Sequence, residues 1–112
     1  MDQKWKIIYY KTASERSPVE EFIDNLSFKA QVKIADTFDL LKEFGINLGL
    51  PHVKKLTGTP LWELRILGQD SIRIFYVAQA GRIFLLLHGF IKKRQKTDKR
   101  EIKTALKRLA EH

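Results

Sequence analysis

The sequence predicts an α+β domain in the order β-α-α-β-β-β-α, an antiparallel sheet with its helices packed on one face. Three observations predict it. From Leu61 to Lys96 three apolar runs follow one another across short turns, and short turns make consecutive strands antiparallel neighbours. Between Ser17 and Phe44 apolar residues recur at helical spacing. Ile102, Ala105, Leu106 and Leu109 form a last i, i+3, i+4, i+7 stripe.

Each element has a local cause. Lys4–Tyr10 carries Trp5, Ile7, Ile8, Tyr9 and Tyr10, a β-branched and aromatic run that reads as a strand. Ser17-Pro18-Val19-Glu20 starts a short helix: Ser17 caps, Pro18 suits the first helical position and Glu20 closes a capping box. That helix runs to about Asn25, with Val19, Phe22, Ile23 and Leu26 on its stripe. Ser27 caps a longer helix ending near Phe44, with Ala30, Ile34, Phe38, Leu41 and Phe44 on one face. Gly45 to Pro60 reads as a long connection. Asp98 and Glu101 make a capping box for the last helix.

With 112 residues the chain is expected to form one domain over residues 1–112 with a modest core. No apolar run approaches the roughly 18 residues of a membrane span, and MDQKWKII lacks a signal peptide's apolar stretch. The absence of cysteine excludes a disulfide, a thiolate zinc site and a catalytic thiol. A cytoplasmic location fits both, and no membrane partner is expected. The charge says more. Twenty-one Lys and Arg oppose thirteen Asp and Glu, for a net +8. Residues 92–108 hold nine basic and two acidic side chains, a local excess of seven. Such a field favours nucleic acid or an acidic protein as partner; its bland alternative is a solvated lysine face.

Strand alternation divides the late sheet into two faces. A turn centred on Gln69 sets Arg65 across from Arg73. One centred between Ala80 and Gly81 sets Arg73 across from His88. Trp62, Leu64, Ile66, Ile72, Ile74, Tyr76, Leu85 and Leu87 then share an apolar face. On the other, Phe75, Val77, Phe84 and Leu86 form an apolar end that needs a cover, by a protein partner, the N-terminal strand or a helix. Glu63, Arg65, Arg73 and His88 form a polar end. A bulge would flip these assignments.

Opposed arginines repel. They are either a surface Arg–Glu–Arg cluster of little energetic value or a phosphate site, for which guanidinium geometry is suited. His88 beside them can exchange protons near neutral pH, and Lys92-Lys93-Arg94-Gln95-Lys96 follows. This set suits RNA cleavage by the 2′-hydroxyl. Glu63 or His88 would act as base or acid. Arg65, Arg73 and Lys93 would hold the developing charge. No cofactor or metal is called for, and Glu63 is the face's lone carboxylate.

The segments VKKLTG (Val53–Gly58), LWELR (Leu61–Arg65), RIFY (Arg73–Tyr76) and LHGFIKKRQKT (Leu87–Thr97) together resemble the HigB-like, phage-derived branch of the RelE toxin superfamily. The likeness covers roughly residues 4–109. It implies a RelE-like fold and a toxin of a type II toxin–antitoxin pair, an mRNA interferase acting in the ribosomal A site. Its implied partners are mRNA, the ribosome and a cognate antitoxin, commonly a helix-turn-helix repressor. The toxin alone would be monomeric and would form a hetero-oligomer with the antitoxin. The family's phosphate-gripping arginine falls on Arg73 and its preceding-strand basic residue on Arg65. The basic residue after the last strand falls on Lys92 or Lys93, with Lys93 favoured. Glu63 matches the glutamate base of some relatives. With no tyrosine after Tyr76, His88 is the available acid. Lys54 and Lys55 resemble RNA-contacting positions, which Lys92, Arg94 and Lys96 extend. His52 is a further candidate, against a solvated loop histidine. The related ParE branch, which inhibits DNA gyrase without cutting RNA, is the alternative, together with a plain basic binding domain.

Overall fold

Alternating apolar residues on the late strands demand burial on both sides, and the chain supplies a cover for each. The computed structural model describes residues 4–69 and 71–112. Met1–Gln3, part of the segment read as lacking a signal peptide, and the hairpin residue Asp70 lie outside the described residues. The strands are β1 (Lys6–Tyr9), β2 (Val53–Lys55), β3 (Trp62–Arg65), β4 (Ile72–Gln79) and β5 (Ile83–Ile91). The helices are α1 (Pro18–Asp24), α2 (Phe28–Phe44) and α3 (Lys99–Glu111). The sheet order is β1-β5-β4-β3-β2, antiparallel except for β1, which runs parallel to β5. This is an α+β fold compatible with the RelE-like one.

The expected connection from Gly45 to Pro60 contains a 3-10 turn at Gly45–Asn47 and strand β2. Three residues among glycines and prolines carry too little periodicity to announce a strand; pairing with β3 makes it one, Lys54 against Glu63. Ser27 caps α2 by accepting from the Ala30 N–H at 3.2 Å, and Asp98 caps α3 by accepting from Arg100 at 2.9 Å. Neither expected capping box is seen. Ser17 makes no side-chain cap, and its hydroxyl is buried without a partner among the described residues. The Glu101 carboxylate engages His88 instead of returning to Asp98. Phe44, expected on the buried stripe of α2, is 53% exposed.

The helices do not share one face. On one side α1 and α2 bring Val19, Ile34, Phe38 and Leu41 onto Leu64, Ile74, Tyr76, Phe84 and Leu86. On the other, α3 brings Ala105, Ile102, Leu106 and Leu109 onto Phe75, Val77, Leu85, Leu87 and Phe90. Burying side chains such as Leu85 and Leu87 stabilises by roughly 1.5–3 kcal/mol each, which holds the amphipathic α3 against the sheet. Phe75, Phe84 and Leu86 are therefore no open docking end; each is at most 1% exposed.

Register explains the difference. Arg65 faces Arg73 as expected. In the next hairpin Gln79 pairs with Ile83 across Ala80-Gly81-Arg82, half a residue from the expected centre. A bulge then leaves Leu87 between the pairs Tyr76–Leu86 and Phe75–His88. These shifts exchange the expected faces of residues 84–87 and set Arg73 opposite Phe90 rather than His88. Gly89 follows the bulge for a reason of space. A Cβ there would lie 2.5 Å from the Phe22 ring, so glycine lets α1 close on β5.

Candidate functional site

Two cross-strand rows build the polar end of the α3-covered face. Lys54, Glu63, Phe75 and His88 stand in one, and Arg65, Arg73 and Phe90 in the next. Arg65 Nε donates to Glu63 Oε1 at 3.1 Å. The buried Arg73 Nε approaches the same oxygen at 3.5 Å, a charge contact without an aligned hydrogen bond. Arg73 Nη1 donates to its neighbour's carbonyl, Ile72 O, at 3.1 Å. Burial pulls the Arg73 guanidinium below its ordinary pKa; Glu63 opposes that shift and Arg65 adds to it.

Glu63 is only 3% exposed. The cluster is thus not the surface Arg–Glu–Arg set weighed above. Removing a carboxylate this deep would leave two guanidiniums without their shared counter-ion, a loss of about 3–5 kcal/mol. Glu63 is engaged as that counter-ion, which leaves it poorly placed to meet a substrate hydroxyl. One carboxylate between two arginines still leaves a positive excess.

His88 belongs to a different cluster. Its ring stacks on Phe90 with centroids 5.5 Å apart. Arg108 Nη1 donates to the Leu87 carbonyl at 2.9 Å and to His88 Nδ1 at 3.1 Å. Guanidinium only donates, so Nδ1 accepts, and the proton sits on Nε2, which donates to Glu101 Oε1 at 2.8 Å. The network therefore assigns a neutral imidazole. Burial lowers the His88 pKa; the Glu101 hydrogen bond raises it, Arg108 lowers it and the Glu101 charge raises it. Tyr10 completes this group, donating to Glu111 at 3.0 Å beneath the Arg108 guanidinium. The register places Phe75 and Phe90 beside both His88 and Arg73, so the expected contact between the latter two is not made.

Two clefts flank these clusters. The smaller, about 60 Å³, is lined by Lys54, Lys55, Leu56, Glu63, Arg65, Lys92 and Thr97. The larger, about 170 Å³, lies where β5 runs into α3 and is lined by Phe90, Ile91, Lys92, Lys93, Arg94, Lys96, Asp98, Arg100 and Glu101. Lys92 lines both. The favoured Lys93 lines only the larger, with Arg94 and Lys96. Lys54 sits across from Glu63. Lys55 lies over the Trp62 ring, 5.6 Å from its centroid, and donates to the Thr59 carbonyl. His52 is half-buried rather than a solvated loop residue, with Nδ1 unpartnered among the described residues. Among the described residues no cluster of three or more His, Asp or Glu is placed to hold a metal ion, and no helix is long and apolar enough to cross a membrane.

Sequence reasoning missed Glu101 and Arg108 as site neighbours. The sequence pattern makes Glu101 a cap residue, but the two lie seven positions apart, on one face of α3. That spacing, facing the HGF segment, was the available signal.

Fold and clefts together define a small α+β protein with a cationic junction between its sheet and its last helix. The sequence model for "Phage derived protein Gp49-like (DUF891)" matches residues 21–110, and the chain belongs to that family, which is associated with RelE-like toxins. No curated protein matches the sequence.

Proposed function

We propose that this protein is the toxin of a type II toxin–antitoxin pair, of the HigB-like branch, and a metal-independent endoribonuclease that cuts mRNA in the ribosomal A site. The observation that carries this reading is the opposed pair Arg65 and Arg73, held on neighbouring strands by one buried carboxylate and flanked by Lys54 and Lys92. Four cations and one anion make a net +3 over these five residues. Guanidiniums fixed in this way need no reorganisation as charge builds on a phosphate, the condition under which electrostatic stabilisation is strongest. The 2′-oxygen attacks the scissile phosphorus, the bond to the 5′-oxygen breaks, and the arginines hold the pentacoordinate charge. Lys92 and Lys93 extend the cationic track, with Lys54, Arg94 and Lys96 along the RNA. A cognate helix-turn-helix antitoxin would neutralise the toxin in the cytoplasm.

The test maps 5′ ends on ribosome-bound transcripts incubated with the purified protein. Cutting that leaves 5′-hydroxyl and 2′,3′-cyclic phosphate ends is expected. Arg73→Ala should lower its rate by about 10²–10³-fold. Intact transcripts together with inhibited DNA supercoiling would favour the ParE-like reading. A folded Arg73→Ala protein cutting at the wild-type rate would overturn the site.

A further inference from the structure

We propose that Glu101 is the catalytic residue that takes the 2′-hydroxyl proton, and that His88 is a positioning residue that orients its carboxylate. This inference rests on the nuclease reading and supplies the proton acceptor that the reading lacks.

Three carboxylates lie beside the cationic clefts. Glu63 is buried between two arginines. Asp98 is engaged at the start of α3, accepting from the Arg100 backbone at 2.9 Å and pairing with the Arg100 guanidinium at 3.3 Å. Glu101 differs from both. It lines the larger cleft as Asp98 does, and its side chain is 30% exposed against 39% for Asp98, but its Oε1 is fixed by the neutral His88 Nε2 rather than paired with an arginine. Five cations line the same cleft: Lys92, Lys93, Arg94, Lys96 and Arg100. Lys92 also borders the cleft of Arg65. An RNA backbone that crosses Lys92 thus passes from Arg65 to Glu101.

The positioning is layered. Arg108 donates to both the Leu87 carbonyl and His88 Nδ1, fixing the tautomer. The remaining ring proton is then aimed at Glu101. A carboxylate held through a histidine whose other nitrogen is fixed has a defined orientation, as in supporting shells around reactive groups generally. His88 itself, with 14% of its side chain exposed and both nitrogens engaged, supports rather than touches the substrate.

The step balances. The O2′–P bond forms and the P–O5′ bond breaks. The 2′-hydroxyl proton moves to the Glu101 carboxylate. The leaving 5′-oxygen takes a proton from water, and the proton later released by Glu101 neutralises the hydroxide that remains.

The test measures single-turnover cleavage of ribosome-bound mRNA against protein concentration. Glu101→Gln keeps an oxygen that can accept from His88, so its melting temperature should match wild type while cutting falls by about 10²–10⁴-fold. Glu101→Asp, which keeps a carboxylate, should cut at an intermediate rate. His88→Ala leaves the Glu101 carboxylate unoriented, so the maximal single-turnover rate should fall while the half-saturating protein concentration stays unchanged; His88→Gln, which retains an N–H, should restore the rate part of the way. Wild-type cutting with Glu101→Gln within threefold of it would overturn this assignment alone. So would a maximal rate unmoved by His88→Ala. A wild type that leaves transcripts whole would instead overturn the nuclease reading, and this one with it.

Discussion

The α3-covered face carries two clusters in which a carboxylate meets basic groups, and they are built oppositely. Around Glu63 all members come from adjacent strands, the carboxylate is buried, and the arginines hold the more exposed positions. Around His88 the members come from β5, α3 and Tyr10, and the carboxylate of Glu101 is more open than the His88 ring that holds it, facing a cleft. The first arrangement fixes positive charge on a rigid base. The second fixes a proton acceptor across a sheet–helix joint. The difference teaches that a glutamate's place in a charge cluster, more than its presence there, decides whether it is a counter-ion or a reactive group.

The largest expected difference between the clusters is in stability. Glu63→Ala should destabilise by about 3–5 kcal/mol in urea unfolding, because two arginines lose their shared counter-ion. Glu101→Gln should shift the same transition by less than about 0.5 kcal/mol. Equal effects would erase the distinction. Arg108→Ala should cost about 1–3 kcal/mol, since the Leu87 carbonyl and His88 Nδ1 lose their donor.

Acid should weaken the second cluster first. Burial holds His88 below its ordinary pKa, so on acidification the unfolded chain binds the proton before the folded protein does. The stability tied to His88 is full above about pH 6.5 and is lost as pH falls through the folded value. Unfolding midpoints at pH 7.5 and pH 5 should therefore differ more in wild type than in His88→Gln. The smallest effect concerns Lys92, which lines both clefts. Lys92→Ala should leave folding unchanged and reduce the salt slope of RNA binding by about 1.

Much of the fold was legible because it is local. The helix starting at Ser27 and the cap at Asp98 follow from neighbouring residues, and the Arg65–Arg73 pairing follows from one short turn. What was not legible depends on distant partners. The three-residue β2 exists only through β3, and the parallel pairing of β1 with β5 joins the first and last strands. The bulge at Leu87 was the costliest omission. The turn centred on Gly81 had already turned Leu85 and Leu87 toward α3, and with the bulge it set Phe90, not His88, against Arg73. The arginine half of the candidate site could thus be read from sequence. The proton-handling half depended on a register shift and on which face received α3.

The central claim is cleavage driven by the RNA's own 2′-hydroxyl at a protein-held phosphate. Its most direct test places a single 2′-deoxynucleotide immediately 5′ of the mapped cut in an otherwise identical ribosome-bound transcript. The account predicts that cutting at that bond disappears while neighbouring sites remain sensitive. Cleavage at the wild-type rate through the deoxy position would contradict it.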